Sequence, residues 1–487
     1  MQLSKKISLR LNNSVFPILP QGASTIAEAI GTEVRFVPRR TRAITVIPLS
    51  TCIMHSVLTS SLSWRRRVQL FAHSTSRLAS SLASNAPNAK PPLRVCVVGG
   101  GVVGLTSALR LLQLNHRTGI ADNQANTDGV TQPRRPVEVT VLASSFGADT
   151  TTAGAAGLWG PYKLSDTPEH LINRWGAATY NHLFQLAHSG LADVAGVSMV
   201  SSNSLFPEPQ ELPFWSHIPL DFAVMDERTL TGLSQRAISG SERIQAATPP
   251  GSDCVVPRLD PNPFLCGWGY HWQSIVCEGS RYLPWLTEQV RALGGRLRRV
   301  SPLTSLEQLS CPEVDLREGD VDLVVNAAGL GSLELLPDPE VVPIRGQVVR
   351  VEAPWVKQAY FYEPYYIIPN RDTVVLGGTG QRGDFNLAVS QEDKRLILDG
   401  CCRLLPSLRG ARVVADWVGL RPGRTSLRLE LQREGVRLGG GRSGGPGGGG
   451  RVVPVVHNYG HGGAGLTLAW GCAGDVVRLI VEEGLME

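Results

Sequence analysis

Two groups of residues have types and spacing suited to chemistry. Gly99-x-Gly101-x-x-Gly104 is a turn that lets backbone approach a pyrophosphate. Its first glycine makes the turn, its second clears the phosphate path, and its third lets a helix pack closely. The turn opens a helix, whose first N–H groups point at an anion. Arg421 follows the apolar run Val418-Gly419-Leu420 and precedes Pro422, which suggests a held cation. A guanidinium grips a carboxylate through two parallel hydrogen bonds. Each feature also has a bland reading, a plain βα turn and a surface arginine, and neither alone names a reaction. His457 and His461 stand four apart like a metal pair. Glycines at 460, 462 and 463 argue against a helix there, and no carboxylate lies between them, so no metal is expected. Gly441-Arg442-Ser443-Gly444-Gly445 has hydrolase-elbow spacing but no preceding strand.

The elements that must position these groups are legible in outline. Leu93–Val98 is a short, β-branched apolar run and reads as a buried strand, and Leu105–Leu114 continues with helical spacing. Residues 116–136 are polar, an insertion or long loop. Val137–Leu142 reads as a second strand, ending in Ala143-Ser144-Ser145 with no acid. The glycine fingerprint normally wants an acid there for a ribose hydroxyl. Ser144 therefore predicts a weaker adenosine contact, and the fingerprint alone does not choose between flavin and nicotinamide. Asp322–Val325 reads as a strand stopped by Asn326-Ala327-Ala328-Gly329. Leu438–Gly450 is mostly glycine and reads as a flexible surface loop. Val452–Val456 is a last strand and Leu466–Val481 a last helix. Alternation at both ends with a mixed middle predicts an α/β domain interrupted by another.

Composition narrows the class. The chain has 487 residues, 42% hydrophobic and 18% charged, with 52 glycines in no Gly-X-Y repeat, so a globular core is expected. Residues 1–92 carry twelve Lys/Arg against Glu28 and Glu33, a net +10, leaving the remainder slightly acidic. A basic nucleic-acid groove is not expected on that body. Nine cysteines without CxxC spacing suggest neither a disulfide framework nor a zinc ribbon. Residues 1–92 are Arg-rich, Ser-rich and acid-poor, as organellar transit peptides are; a disordered extension or a misassigned start are the alternatives. Ala43–Leu62 is too interrupted for a membrane span.

Further strings carry a resemblance. Thr150-Thr151-Thr152 precedes Ala155-Ala156-Gly157-Leu158-Trp159-Gly160-Pro161-Tyr162, and Arg345-Gly346-Gln347 stands mid-chain. Val418-Gly419-Leu420-Arg421-Pro422 and His457-Asn458-Tyr459-Gly460-His461-Gly462-Gly463-Ala464-Gly465-Leu466-Thr467 follow. Together they resemble the D-amino-acid oxidase family, which includes D-aspartate oxidase, over about residues 93 to 487. The resemblance implies non-covalent FAD in a Rossmann-like dinucleotide domain interrupted by a mixed-sheet α+β substrate domain. The corresponding pieces are 93–165, 279–340 and 418–487 for the first, and 166–278 and 341–417 for the second. Gly99, Gly101, Val102, Val103 and Gly104 fall on the pyrophosphate turn, and Ser144 on the ribose position. Thr151 and Thr152 fall on phosphate contacts, and Leu303 and Ala328 on the adenine side. Gly157 and Leu158 lie beside the isoalloxazine. Gly462, Gly465, Leu466 and Thr467 fall where a helix N-terminus meets the flavin ring.

The resemblance also implies the reaction. Arg421 and Tyr366 would hold the substrate carboxylate, Tyr362 would close over it from a short lid, and the Gly463 carbonyl would accept from the amine. Hydride would pass from Cα to flavin N5 with no protein base. The products would be a 2-oxo acid, ammonia and, with dioxygen, hydrogen peroxide. Where the D-aspartate branch places arginines stand Ala359 and Gly380, so neutral or broad substrates are expected. Arg382 and Lys357 stand nearby, which keeps acidic substrates, as well as a non-catalytic flavoprotein, as alternatives. A homodimer stays open, with no nucleic acid and no integral membrane segment as partner. The family suggests a peroxisome and a transit peptide would suggest a mitochondrion or plastid; the chain ends Gly484-Leu485-Met486-Glu487, not in a peroxisomal tripeptide.

Overall fold

Short β-branched runs and the turns that stop them build two sheets. The computed structural model describes residues 90–116, 135–233, 266–314, 316, 320–439 and 450–487. The expected leader (to residue 89), most of the polar insertion (117–134) and the glycine-rich stretch (440–449) lie outside them. The strands are β1 (Leu93–Val98), β2 (Val137–Ala143), β3 (Val197–Phe206), β4 (Leu220–Val224), β5 (Trp268–Cys277), β6 (Arg296–Arg299) and β7 (Leu323–Asn326). There follow β8 (Val342–Glu352), β9 (Ala359–Tyr362), β10 (Tyr365–Pro369), β11 (Val374–Gly377), β12 (Gln381–Arg382), β13 (Arg412–Gly423), β14 (Arg428–Leu438) and β15 (Arg451–Tyr459). The longer helices are α1 (Val102–Gln113), α2 (Glu169–Ala187), α3 (Gly279–Ala292), α4 (Gln391–Leu404) and α5 (Gly465–Glu482).

The first sheet runs β14-β15-β7-β1-β2-β6. Pairs β1/β2, β1/β7, β15/β7 and β2/β6 are parallel, and β14 adds an antiparallel edge. Parallel strands must be covered on both faces. On one face Val95, Val97, Val139 and Val141 bury against Leu105, Leu109 and Leu112 of α1 and Val476 and Ile480 of α5, and on the other Cys96, Val98, Leu142 and Val324 bury against Leu306, Leu309 and Leu335. Each such side chain contributes about 1.5–3 kcal/mol on leaving water. The expected helix at Leu105 begins three residues earlier, directly after the fingerprint glycine, and the last helix begins at Gly465 rather than Leu466.

The second sheet is mixed, ordered β12-β8-β11-β10-β9-β3-β5-β4, with β13 on β8. β13 runs without interruption from Arg412 to Gly423, so the expected boundary at 417/418 cuts a strand. Arg421 therefore belongs to the second sheet, paired with Ile344 of β8. The two sheets share a cavity of about 1080 Å³, lined by the carboxyl end of β1, the start of α1, β10, the end of β13 and the turn before α5.

Candidate functional site

At one end of the cavity the fingerprint glycines have separate jobs. A β-carbon on Gly99, which sits at φ 132°, would lie 2.2 Å from the Ala327 carbonyl oxygen, and one on Gly104 would lie 2.1 Å from that of Gly99. Both are packing glycines, and Gly104 does not line the cavity. Gly101 differs. A β-carbon there would meet nothing nearer than Thr152 Oγ1 at 3.7 Å, so its missing side chain leaves space on the cavity side. Gly101 also caps α1 without a side-chain bond, and no acid stands in the first turn. The open N–H groups of Val102 and Val103 therefore suit an anion. Thr151 and Thr152 line the same wall, and the Thr151 hydroxyl donates to the Leu420 carbonyl at 3.2 Å, next to Arg421. Ser144, Leu303 and Ala328 line the same cavity. The acid missing at Ser144 has a neighbour the sequence did not single out. Asp149 lines the cavity and accepts from Arg299 Nη2 at 3.2 Å, while Arg299 Nη1 donates to the Ser144 carbonyl at 3.1 Å.

Two more glycine turns shape the middle. Gly157 (φ 85°) lies against the Cys277 carbonyl, and Leu158 bridges to Val276 of β5. Gly462 (φ 54°) packs on the Lys163 carbonyl, just before α5. Like α1, α5 starts without a side-chain cap or first-turn acid. Gly465, Leu466 and Thr467 line the cavity there, and the Thr467 hydroxyl exchanges hydrogen bonds with the Gly160 backbone at 3.1 and 3.2 Å. Within this wall the Asn458 Oδ1 and His461 Nε2 atoms are buried with no partner among the described residues. Burial drives the His461 ring down to about 3, so it is neutral.

The end of β13 brings Arg421 to the cavity. Its guanidinium lies flat over Gly346, where a β-carbon would come within 2.2–2.4 Å of Nη1, Cζ and Nη2. Nη1 donates to the Thr379 carbonyl at 3.1 Å and, more weakly, to that of Arg345 at 3.4 Å. Arg345 fixes that backbone. It is 2% exposed and bonded to Asp393, Gln347 and the carbonyls of Asn386 and Ala388 at 2.8–2.9 Å, as a buried charge requires. Tyr366 fits against Gly377 and Gly378, neither of which has room for a side chain. Burial pushes its hydroxyl up to about 12 against the opposing pull of Arg421, so it remains a proton donor at neutral pH. Gly463 lies against the Tyr162 ring, whose centroid is 5.9 Å from the Arg421 guanidinium carbon.

Most sequence-predicted positions thus come together: Gly99, Gly101, Val102, Val103, Ser144, Thr151, Thr152, Gly157, Leu158, Leu303, Ala328, Tyr366, Arg421, Gly462, Gly463, Gly465, Leu466 and Thr467 all line one cavity. Tyr362 does not. Alternation along β9 turns Phe361, paired with Tyr366 across the hairpin, toward the cavity. Tyr362 faces the other way and packs on Leu205, Met225 and Leu230. Neither Lys357 nor Arg382 lines the cavity; Tyr162, which ends the Ala155–Tyr162 string without a role assigned from sequence, and Lys163, the next residue, both do. His457 lies in β15, bonded to Gln432 at 3.0 Å, so the four-residue spacing to His461 is not helical.

This lining fits a flavin dinucleotide on the chain's own terms. A cavity of about 1080 Å³ carries an open glycine at one helix N-terminus, a second uncapped helix N-terminus, and two buried polar atoms with no partner among the described residues. Comparison with known proteins agrees. Residues 94–479 match the family described as FAD dependent oxidoreductase. Over 400 residues the chain is 35% identical to D-aspartate oxidase of Homo sapiens, covering 80% of this chain and 95% of that protein. It is 30% identical to D-amino acid oxidase of Dugesia ryukyuensis, covering 80% and 98%. Glycine oxidase from Geobacillus kaustophilus shares the fold at a TM-score of 0.54 and 19% identity, covering 80% and 94%.

Proposed function

The chain belongs to the FAD-dependent oxidoreductase family, in the group that holds the D-amino-acid and D-aspartate oxidases, and we propose that it converts D-amino acids, with dioxygen and the water that hydrolyses the released imine, to 2-oxo acids, ammonia and hydrogen peroxide. The observation that carries this reading is the seat of Arg421 over Gly346, in the same cavity that the fingerprint turn lines.

FAD, when bound here, would supply a two-electron acceptor that dioxygen can regenerate. The residues of this chain do the rest. Val102, Val103, Thr151 and Thr152 hold the pyrophosphate. The start of α5 lays a positive dipole end along the cavity, which favours negative charge there. Arg421 grips the α-carboxylate, and Tyr366, protonated up to about 12, donates a second bond to it. The Gly463 carbonyl accepts from the neutral amine. With both groups fixed, the single hydrogen of Cα points into the cavity and would leave with its electron pair, so no side chain is needed to remove a proton. Positioning and electrostatics are the catalytic contributions. The Tyr162 ring, and Phe361 in the place expected of Tyr362, flank the substrate.

On this reading the first sheet, built from 93–165, 279–340 and 424–487, binds FAD. The second, built from 166–278 and 341–423, binds substrate. Among the described residues no helix is long and apolar enough to cross a membrane. A peroxide-forming enzyme suits an organelle: a peroxisome by family resemblance, or a mitochondrion or plastid if the Arg- and Ser-rich stretch to residue 92 is a leader. Residues 1–92 fused to a fluorescent reporter separate these from the cytosol. The activity itself is tested by peroxide release from a panel of D- and L-amino acids with added FAD. D-isomers alone should respond, and an L-only response would refute the proposal.

A further inference from the structure

Lys163 is a cation in the cavity wall that the chemistry above does not use. It lies in the loop Gly160-Pro161-Tyr162-Lys163 between the ring wall and α2. Its backbone sits at φ 55°, a conformation that side-chain-bearing residues rarely adopt, and Ser165 follows at φ 47°. Strain of this kind persists only where the surroundings fix it, and here they do. Leu164 is buried, its carbonyl accepts from both the amide and the hydroxyl of Thr167 at 3.1 and 2.7 Å, and the Asp166 amide donates to the Thr425 carbonyl at 2.8 Å. The Lys163 carbonyl in turn packs on Gly462. The side chain therefore leaves a rigid anchor.

That anchor aims the ammonium at the substrate end. Nζ is 4.9 Å from the centroid of the Tyr162 ring, whose centroid is also 5.9 Å from the Arg421 guanidinium carbon. A β-carbon on Gly380 would lie 2.9 Å from the same Nζ, while Arg421 Nη1 donates to the carbonyl of Thr379, the adjacent residue. Two cations thus touch neighbouring residues of one loop and share one aromatic ring. Among the described residues Lys163 has no ion-pair partner; exposed Glu363, the acid at this end of the cavity, pairs with neither cation. The absence of a side chain on Gly380 is what leaves the ammonium its place.

We propose that Lys163 is a specificity-determining residue that receives the side-chain carboxylate of an acidic D-amino acid while Arg421 holds the α-carboxylate. This rests on the proposed D-amino-acid oxidation and narrows it: D-aspartate and D-glutamate join the neutral substrates. A compact ammonium with three donors suits side chains of different length better than a rigid fork does.

The test compares the holoenzyme with its Lys163→Met and Lys163→Arg variants on D-aspartate, D-glutamate and D-alanine. Methionine keeps length and the strained backbone while removing the charge. The expected result is that Lys163→Met lowers the kcat/KM ratio of D-aspartate to D-alanine by about 10- to 100-fold, and that Lys163→Arg restores most of it. Calorimetric titration gives a second readout without turnover: Lys163→Met should weaken succinate far more than butyrate. An unchanged ratio, equal weakening of both ligands, or a parent enzyme that oxidises D-alanine but neither acidic substrate overturns the role of Lys163 and leaves the oxidase reading standing. A parent enzyme inactive on every D-amino acid overturns the oxidase reading itself, and this proposal with it.

Discussion

Replacing Gly346 by alanine puts a methyl group where the Arg421 guanidinium lies. The added carbon would stand 2.2 Å from Nη1 and 2.4 Å from Cζ and Nη2, whereas ordinary contact begins near 3.4 Å. The guanidinium must therefore retreat by about 1 Å or more. All three atoms belong to the far end of a flexible side chain, and β8 at Gly346 has no positive φ, so the strand and the fold should survive. The retreat breaks the 3.1 Å bond to Thr379 and moves one arm of the fork off the substrate carboxylate. Losing one charge-assisted bond, worth about 1.5–3 kcal/mol, lowers kcat/KM by about 10- to 150-fold. FAD affinity and melting temperature should change little, because nothing at the fingerprint end moves. Steady-state peroxide release under saturating FAD, with flavin titration and thermal melting alongside, checks all three. Full activity in Gly346→Ala would refute the placement of Arg421, and loss of folding would refute the claim that only a side chain gives way.

Gly101→Ala should leave the apoprotein as stable as its parent, since its methyl group meets only Thr152 Oγ1 at 3.7 Å, yet weaken FAD binding by an order of magnitude or more; equilibrium dialysis decides it. Arg421→Lys keeps the charge but loses the fork, and should cost about one to two orders of magnitude in kcat/KM, with bound flavin absorbance unchanged. Acid should destabilise the fold below pH 6.5. Burial, helped at His182 by Arg110 and at His457 by Arg428, lowers His182 and His461 to about 3 and His457 to about 4. The unfolded chain therefore binds protons there that the native state refuses, and stability falls as pH drops from 6.5 toward 4. Each ring accounts for about 2 kcal/mol at pH 5, and a melting temperature that does not fall from pH 7 to 5 would contradict this.

What the sequence disclosed was local. The fingerprint, the threonines, the Gly157 turn and the start of the last helix are each a few adjacent residues whose types report their own backbone, and all but Gly104 line the cavity. What stayed hidden depends on which residues face each other across strands and loops. Tyr362 and Phe361 are neighbours in sequence, but alternation and the pairing of Phe361 with Tyr366 decide which faces the cavity. Gly346 matters because Arg421 crosses it from β13, and Lys163 because a strained loop sets it beside Gly380. The extent of β13 was hidden for the same reason. Its pairing with β8 carries Arg421 into the second sheet, and no composition change marks the crossing.

Anaerobic mixing of the FAD-loaded enzyme with D-alanine, followed by the visible absorbance of the flavin, tests the central claim most directly. D-alanine should bleach the absorbance, L-alanine should leave it intact, and air should restore it with one hydrogen peroxide per turnover. Arg421→Leu should bind the same flavin and fail to bleach. Bleaching by the L-isomer, no bleaching by any D-amino acid, or full bleaching in Arg421→Leu would contradict the account.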